Sequence, residues 1–149
     1  DARQKKLARR MIDAGADVVI GAHPHVIQNS ENYKGRLIVY STGNFLYDQQ
    51  ILGRDNTLGL GVGIALRVDD QQAIDAYTTI GAACGDYHDQ CANNLASKLK
   101  KRPVLSVSFT AECFMEPNYY PKAADEATCN DIKTQATWDE NTKKLNSFW

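Results

Sequence analysis

The chain of 149 residues has no apolar run near the roughly 20 residues that a membrane-spanning helix needs. It also lacks an excess of either charge: 17 Lys and Arg stand against 18 Asp and Glu, a formal net charge of −1. That balance gives no electrostatic reason to expect a nucleic-acid partner. The close C-x-x-C pair of a zinc knuckle or a thioredoxin-like centre is absent. No serine lies in a G-x-S-x-G elbow, and no serine or cysteine has a histidine beside it, so an acyl-enzyme mechanism has no support. The opening Asp1-Ala2-Arg3-Gln4-Lys5-Lys6 is not a start methionine, a signal peptide or a transit peptide, and reads as part of something longer. Histidine is scarce, with three in the chain.

Two of those three lie together. Ala16-Asp17-Val18-Val19-Ile20-Gly21-Ala22-His23-Pro24-His25 reads as an apolar strand that ends in a histidine pair. In an extended chain, residues i and i+2 point the same way, so His23 and His25 can address one site. Pro24 fixes its own φ and biases His23 towards an extended conformation. Neutral imidazoles in this arrangement suit zinc, manganese, iron or nickel. A catalytic metal needs about three protein ligands, and the possible additions are Asp17, Asn44 and Asp48. On residue types alone, a ligand pair and two hydrogen-bonded loop histidines remain equal alternatives. His88, between Tyr87 and Asp89, reads as a surface histidine.

Around the pair, the pattern is α/β. Leu7, Ala8, Met11 and Ile12 make one helical face over about Ala2 to Ala14, and Gly15 stands where a C-cap is expected. Short strands are expected at Val18 to Ile20 and Leu37 to Ser41, each ending in a polar, glycine-containing loop where α/β sheets bind ligands. Leu58 to Val68 reads as a strand with Gly59, Gly61 and Gly63 on one face, a surface that another backbone can approach closely. Ala73 to Ile80 is expected to return as the second strand of a hairpin. Gln90 to Lys101 reads as a helix and Val104 to Thr110 as a further strand.

The division expected is 1–81 as one α/β part and 82–149 as a cysteine-containing extension packed on the same domain. All four cysteines fall in the second half, at 84, 91, 113 and 129. Two disulfides in an exported protein are expected, with sequence proximity favouring Cys84 with Cys91 and Cys113 with Cys129. Four reduced cysteines in a cytosolic protein are the alternative.

Two blocks carry a family resemblance. The first is Ile12-Asp13-Ala14-Gly15-Ala16-Asp17-Val18-Val19-Ile20-Gly21-Ala22-His23-Pro24-His25-Val26-Ile27-Gln28. The second, after Tyr33-Lys34-Gly35, is Ile38-Val39-Tyr40-Ser41-Thr42-Gly43-Asn44-Phe45-Leu46-Tyr47-Asp48. In order and separation they resemble the later part of the bacterial capsule-synthesis family. That family includes the CapA and PgsA proteins of poly-γ-glutamate production, within the calcineurin-like metallophosphatase superfamily.

The resemblance implies an α/β (α+β) fold, the C-terminal part of a metallophosphatase-like sandwich of mixed β-sheets flanked by helices. It implies two divalent transition metal ions (Mn, Fe or Zn), with His23 and His25 each supplying an imidazole, and Gln28 and Asn44 lining the site for substrate. His23 stands two residues after Gly21, whereas the usual superfamily form places the first histidine one residue after the glycine. The superfamily's early motifs, which carry the bridging aspartate and most ligands, are absent. The expected partner is therefore a missing N-terminal part or a complementary chain, with an anionic polymer as a further partner and an extracellular or cell-surface bacterial location. The implied activity is metal-dependent hydrolysis of a phosphoester or related bond. A noncatalytic binding or assembly component for a cell-surface anionic polymer is the alternative.

Overall fold

Asp1 starts the first helix by closing a capping box. Its carboxylate accepts from the Gln4 backbone N–H at 2.9 Å, and its own amino group donates to Gln4 Oε1 at 3.3 Å. Helix α1 runs Ala2–Asp13 and buries Ala8 and Ile12, as the apolar spacing requires. It ends where Gly15 takes φ +109°. The structure, a computed structural model, describes residues 1–46, 52–68, 105–116, 120–143 and 145, with positions 71, 74, 75 and 78. These divide into one unit of Asp1–Ile64 with Ser108–Asn146 and another of Ala65–Val107 with Ser147–Trp149.

In the first unit, strand β1 (Val18–Ile20) pairs in parallel with β3 (Arg36–Val39), matching Val18 with Leu37 and Ile20 with Val39. Strand β2 (Ser30–Tyr33) pairs antiparallel with β3 from the other side, so the sheet order is β1-β3-β2. The Tyr33-Lys34-Gly35-Arg36 turn expected from sequence is the β2–β3 connection. Lys34 and Gly35 both have positive φ, the conformation that two-residue hairpin loops use. The strand character of β2 itself is not evident in Ser-Glu-Asn-Tyr. Those polar side chains are satisfied elsewhere: Ser30 Oγ donates to the Ala136 carbonyl at 2.7 Å, and the Asn32 side-chain amide donates to the Asn141 carbonyl at 3.4 Å.

A second sheet follows, with β4 (Leu58–Val68), β5 (Leu105–Met115) and β6 (Lys122–Ala123) in that order. The fold is thus α+β, with mixed sheets and helices. Strand β5 begins near the expected Val104 and runs on to Met115. The expected hairpin partner of β4 is corrected. The described positions Gln71, Ile74, Asp75 and Thr78 are helical, and β4 neighbours β5 in its sheet. A side-chain pair four residues apart favours that outcome, the Gln71 amide donating to Asp75 at 2.8 Å, and the Thr78 hydroxyl bonds back to the Ile74 carbonyl at 2.8 Å. Cys84, Cys91, His88, Asp48 and the helix expected at Gln90 to Lys101 lie outside the described residues.

Helices α2 (Glu126–Gln135) and α3 (Trp138–Thr142) close the unit. Asp125 caps α2 by accepting from the Thr128 N–H at 2.8 Å, and this backbone bond holds its carboxyl below the usual range. Leu37, Ile38 and Val39 have no exposed surface, and alternation sends them to opposite faces. Leu37 and Val39 join Ile27, Leu58, Leu60, Ile132, Trp138 and Leu145 in the main core. Ile38 and Tyr40 pack under α1 with Ala8 and Ile12. Each fully buried Leu or Ile of this kind contributes about 1.5–3 kcal/mol. Cys113 and Cys129 form a disulfide, the pairing that proximity favoured, and tie β5 to α2 across a Cα separation of 5.3 Å.

Under α1 lies a polar network. Arg9 pairs with Glu31 at 2.7 Å, and the Tyr40 hydroxyl donates to Glu31 Oε2 at 2.5 Å. Burial alone would raise the Glu31 carboxyl, but the bonds from Tyr40 and Arg9 outweigh it and hold the group below its ordinary value. Burial, reinforced by the bond to Glu31, pushes the Tyr40 phenol up to about 12.

Candidate functional site

The parallel β1–β3 pair delivers two loops side by side at its carboxyl end. The Gly21 N–H donates to the Val39 carbonyl at 2.7 Å, and the Thr42 N–H donates to the Gly21 carbonyl at 3.2 Å. The chain then folds back, because Ile27 bridges Thr42 and the Gln28 N–H donates to the Ser41 carbonyl at 3.1 Å. A third segment joins through Gly43, which bridges Gly59. Gly43 has φ +72°, and a Cβ there would run into the Leu58 carbonyl oxygen. The bare face of β4 is used as its glycines allow. A Cβ at Gly59 would strike the Asn44 carbonyl, so the backbone of the Asn44 loop fills that space.

His23 and His25 sit in the turn between β1 and Ile27, and there the extended-chain expectation fails. His23 has φ 97° and His25 φ 60°, both left-handed. The strand stops at Ile20, and a straight continuation could not bring Ile27 back to Thr42. The turn demanded by that bridge overrides the bias that Pro24 places on His23. Left-handed non-glycine residues cost of order 1–3 kcal/mol each and persist where the surroundings over-determine them. The two rings nevertheless stay close, with centroids 6.2 Å apart and planes tilted by 51°.

Asn44 belongs to the same cluster. It is 5% exposed, and its Oδ1 lies 2.7 Å from His25 Nδ1. Its Nδ2 donates to the Asn56 carbonyl at 2.7 Å, and the Asn56 amide donates to the His25 carbonyl at 3.1 Å. Asn56 lies in the short 3₁₀ turn Arg54–Thr57 and was not anticipated. The polar Asp-Asn-Thr ahead of β4 was the available signal, and it does not distinguish a site residue from an ordinary loop. Beside the cluster lies a cavity of about 410 Å³ lined by Asn44, Phe45, Gly59, Gly61, Glu112 and Phe114 among others. Phe45 and Phe114 meet edge to face there, 5.1 Å between centroids.

The other sequence candidates are placed elsewhere. Gln28 Oε1 accepts from Gln4 Nε2 at 2.9 Å, so its hydrogen bonding runs to α1 and not to the histidines. Asp17 precedes β1, at the opposite end of the strand from the pair, and makes an ion pair with Arg36 at 3.2 Å.

The donor set fits metal ligation in part. A ligating histidine usually donates its other ring N–H to an oxygen, and His25 has Asn44 Oδ1 in that role. A ligated ion sits roughly 3.2 Å from each ring centre, so one shared tetrahedral ion would bring the centroids to about 5 Å, and 6.2 Å suits one imidazole on each of two adjacent ions. Among the described residues, no cluster of three or more His, Cys, Asp or Glu side chains is arranged to hold a metal.

Residues 1–49 match the profile of the bacterial capsule synthesis protein family PGA_cap. The PGA biosynthesis protein CapA of Bacillus subtilis is 57% identical over 47 residues, which is 32% of this chain and 12% of that protein. The capsule biosynthesis protein CapA of Bacillus anthracis is 55% identical over 47 residues, 32% of this chain and 11% of that protein. A protein of Sinorhizobium fredii, y4sH, is 53% identical over 45 residues, 30% of this chain and 10% of its own length. The chain thus spans about a tenth of the length of the curated relatives it matches. The matched stretch contains α1, the β1-β3-β2 sheet, the histidine pair and Asn44.

Proposed function

We propose, from the premise that residues 1–49 are a CapA-like segment of the capsule synthesis family, that this chain forms the C-terminal part of a metallophosphatase-like sandwich. His23 and His25 are its metal ligands. The observation that carries this reading is the histidine pair at the carboxyl end of β1, with the Asn44 amide holding the far ring nitrogen of His25. A bound pair of divalent ions (Mn, Fe or Zn) would supply Lewis acidity, polarising a phosphoester oxygen and acidifying the attacking water. The chain's own contribution is positional: the β1 and β3 loops hold two imidazoles and a buried amide against one another. The reaction class is hydrolysis of a phosphoester or related bond. The family tie supports a role in making, exporting or anchoring an anionic surface polymer such as poly-γ-glutamate. Asn44 acts in this scheme through His25.

The remaining ligands come from upstream CapA-like sequence. Among the described residues β1 is the edge strand of its sheet, and Leu7, Met11 and Ile20 beside it are 61%, 47% and 48% exposed. An edge of that kind takes a further strand. The Cys113–Cys129 disulfide favours an extracellular or cell-surface location. No described helix is long and apolar enough to cross a membrane.

A noncatalytic assembly role is the second reading, favoured by the absence of a third ligating side chain near the pair among the described residues. The protein expressed from its whole reading frame separates the two. Turnover of bis(4-nitrophenyl) phosphate that depends on added Mn²⁺ and is lost in His23→Ala and His25→Ala supports hydrolysis. Absence of turnover, with polymer binding unchanged in both variants, supports assembly.

A further inference from the structure

We infer that Asn44 and Asn56 are positioning residues that lock His25 in the Nδ1–H tautomer and make Nε2 its lone-pair nitrogen. The inference rests on the reading of His25 as a ligand, which it deepens, but its first test does not need a metal. Three segments close a ring: His25 Nδ1 to Asn44 Oδ1, Asn44 Nδ2 to the Asn56 carbonyl, and Asn56 Nδ2 to the His25 carbonyl.

The directions in that ring are forced. Asn56 offers Asn44 a backbone carbonyl, which only accepts, so the Asn44 nitrogen must face it. Turning the amide over would set two oxygens 2.7 Å apart in a buried place. Asn44 therefore presents its oxygen to His25, and only a protonated Nδ1 can bond to it at 2.7 Å. The third bond holds the His25 backbone in its left-handed turn, so ring and main chain are fixed by the same two asparagines. Free histidine side chains in water favour the opposite, Nε2–H, form. The ring therefore reverses an intrinsic preference, and it puts the basic nitrogen at the far edge of the imidazole from Asn44. A ligand that needs Nε2 as donor meets a side chain already in the required form.

Long-range ¹H–¹⁵N correlation spectra of the chain, recorded with chelator present and at a pH where the rings are neutral, read the tautomer directly. The expected result for His25 is a pyrrole-type Nδ1 and a pyridine-type Nε2. Asn44→Leu should return His25 to the Nε2–H form and leave His23 unchanged, and Asn44→Asp, which keeps an acceptor, should retain Nδ1–H. Zn²⁺ added to the same samples should bind about 10–100-fold more weakly to Asn44→Leu than to the wild type. A wild-type His25 protonated at Nε2 overturns the inference, and so does an unchanged tautomer in folded Asn44→Leu. Should Asn44→Leu fail to fold, the wild-type and Asn44→Asp spectra still decide it. A locked tautomer in a chain that takes up no Zn²⁺ upholds the positioning role and counts against the metal reading alone.

Discussion

The two ends of the parallel β1–β3 pair solve the same problem differently. At the amino end, polar groups are charged and half-buried or exposed, and they neutralise one another: half-buried Asp17 with Arg36 at 3.2 Å, and exposed Asp13 with Lys34 at 2.5 Å. At the carboxyl end, the groups are an imidazole and two amides, partly or fully buried and bound in a ring, on a backbone that takes three left-handed residues at His23, His25 and Gly43. Exposed ion pairs contribute little and tolerate change. A strained turn held by buried amides is a costly arrangement, and strain of this kind gathers at functional sites. The amino end is built to be solvated, and the carboxyl end to hold a geometry.

The largest effect should come from breaking what both ends share. Leu37→Ala removes a fully buried side chain from the middle of β3 and should destabilise by about 2–5 kcal/mol in urea unfolding. Both ends should lose hydrogen-exchange protection together. Gly43→Ala sharpens the contrast, because the added methyl meets the Leu58 carbonyl at φ +72°. A loss of about 1–3 kcal/mol is expected, with amide shifts concentrated at His25, Asn44 and Asn56. Lys34→Ala, at the amino end, should leave the urea midpoint nearly unchanged and those resonances in place.

The expectations from sequence divided along the same line. Helix α1 and strands β1, β3 and β4 were legible as elements from apolar periodicity, although Leu7, Met11, Ile20, Ile64 and Leu66 on those elements are exposed. Strand β2 was not, since Ser30 and Asn32 are satisfied by Ala136 and Asn141, partners more than a hundred residues away. The histidine pair was legible as chemistry but not as geometry. Its left-handed turn is imposed by the Ile27–Thr42 bridge, a tertiary constraint that the local Pro24 rule does not contain. Asn56 was invisible because it acts through backbone carbonyls, which leave no mark on residue type. The glycines of β4 signalled a close approach, and the structure supplies the approaching segment.

The smallest expected effect lies at neither end. The Glu31 carboxyl is held below its ordinary value, so its contribution is present above the unfolded carboxylate pKa and lost as pH falls through the folded one. Tyr40 runs the other way. Its contribution is complete below pH 10 and lost as pH rises from 10 to about 12. Urea midpoints measured across both windows should fall at each extreme, and Tyr40→Phe should flatten the alkaline limb. A decline that persists unchanged in Tyr40→Phe would assign it to other groups.

The most direct test of the carboxyl end is metal content. The protein expressed from its whole reading frame, purified without chelator, should carry about two transition-metal ions per chain. His23→Ala/His25→Ala, folded by the criterion of an unchanged amide spectrum outside residues 21–28, should lose most of them. Equal metal in the wild type and the folded double variant, or a metal-free wild type that takes up neither Mn²⁺ nor Zn²⁺, would contradict the assignment of His23 and His25 as ligands.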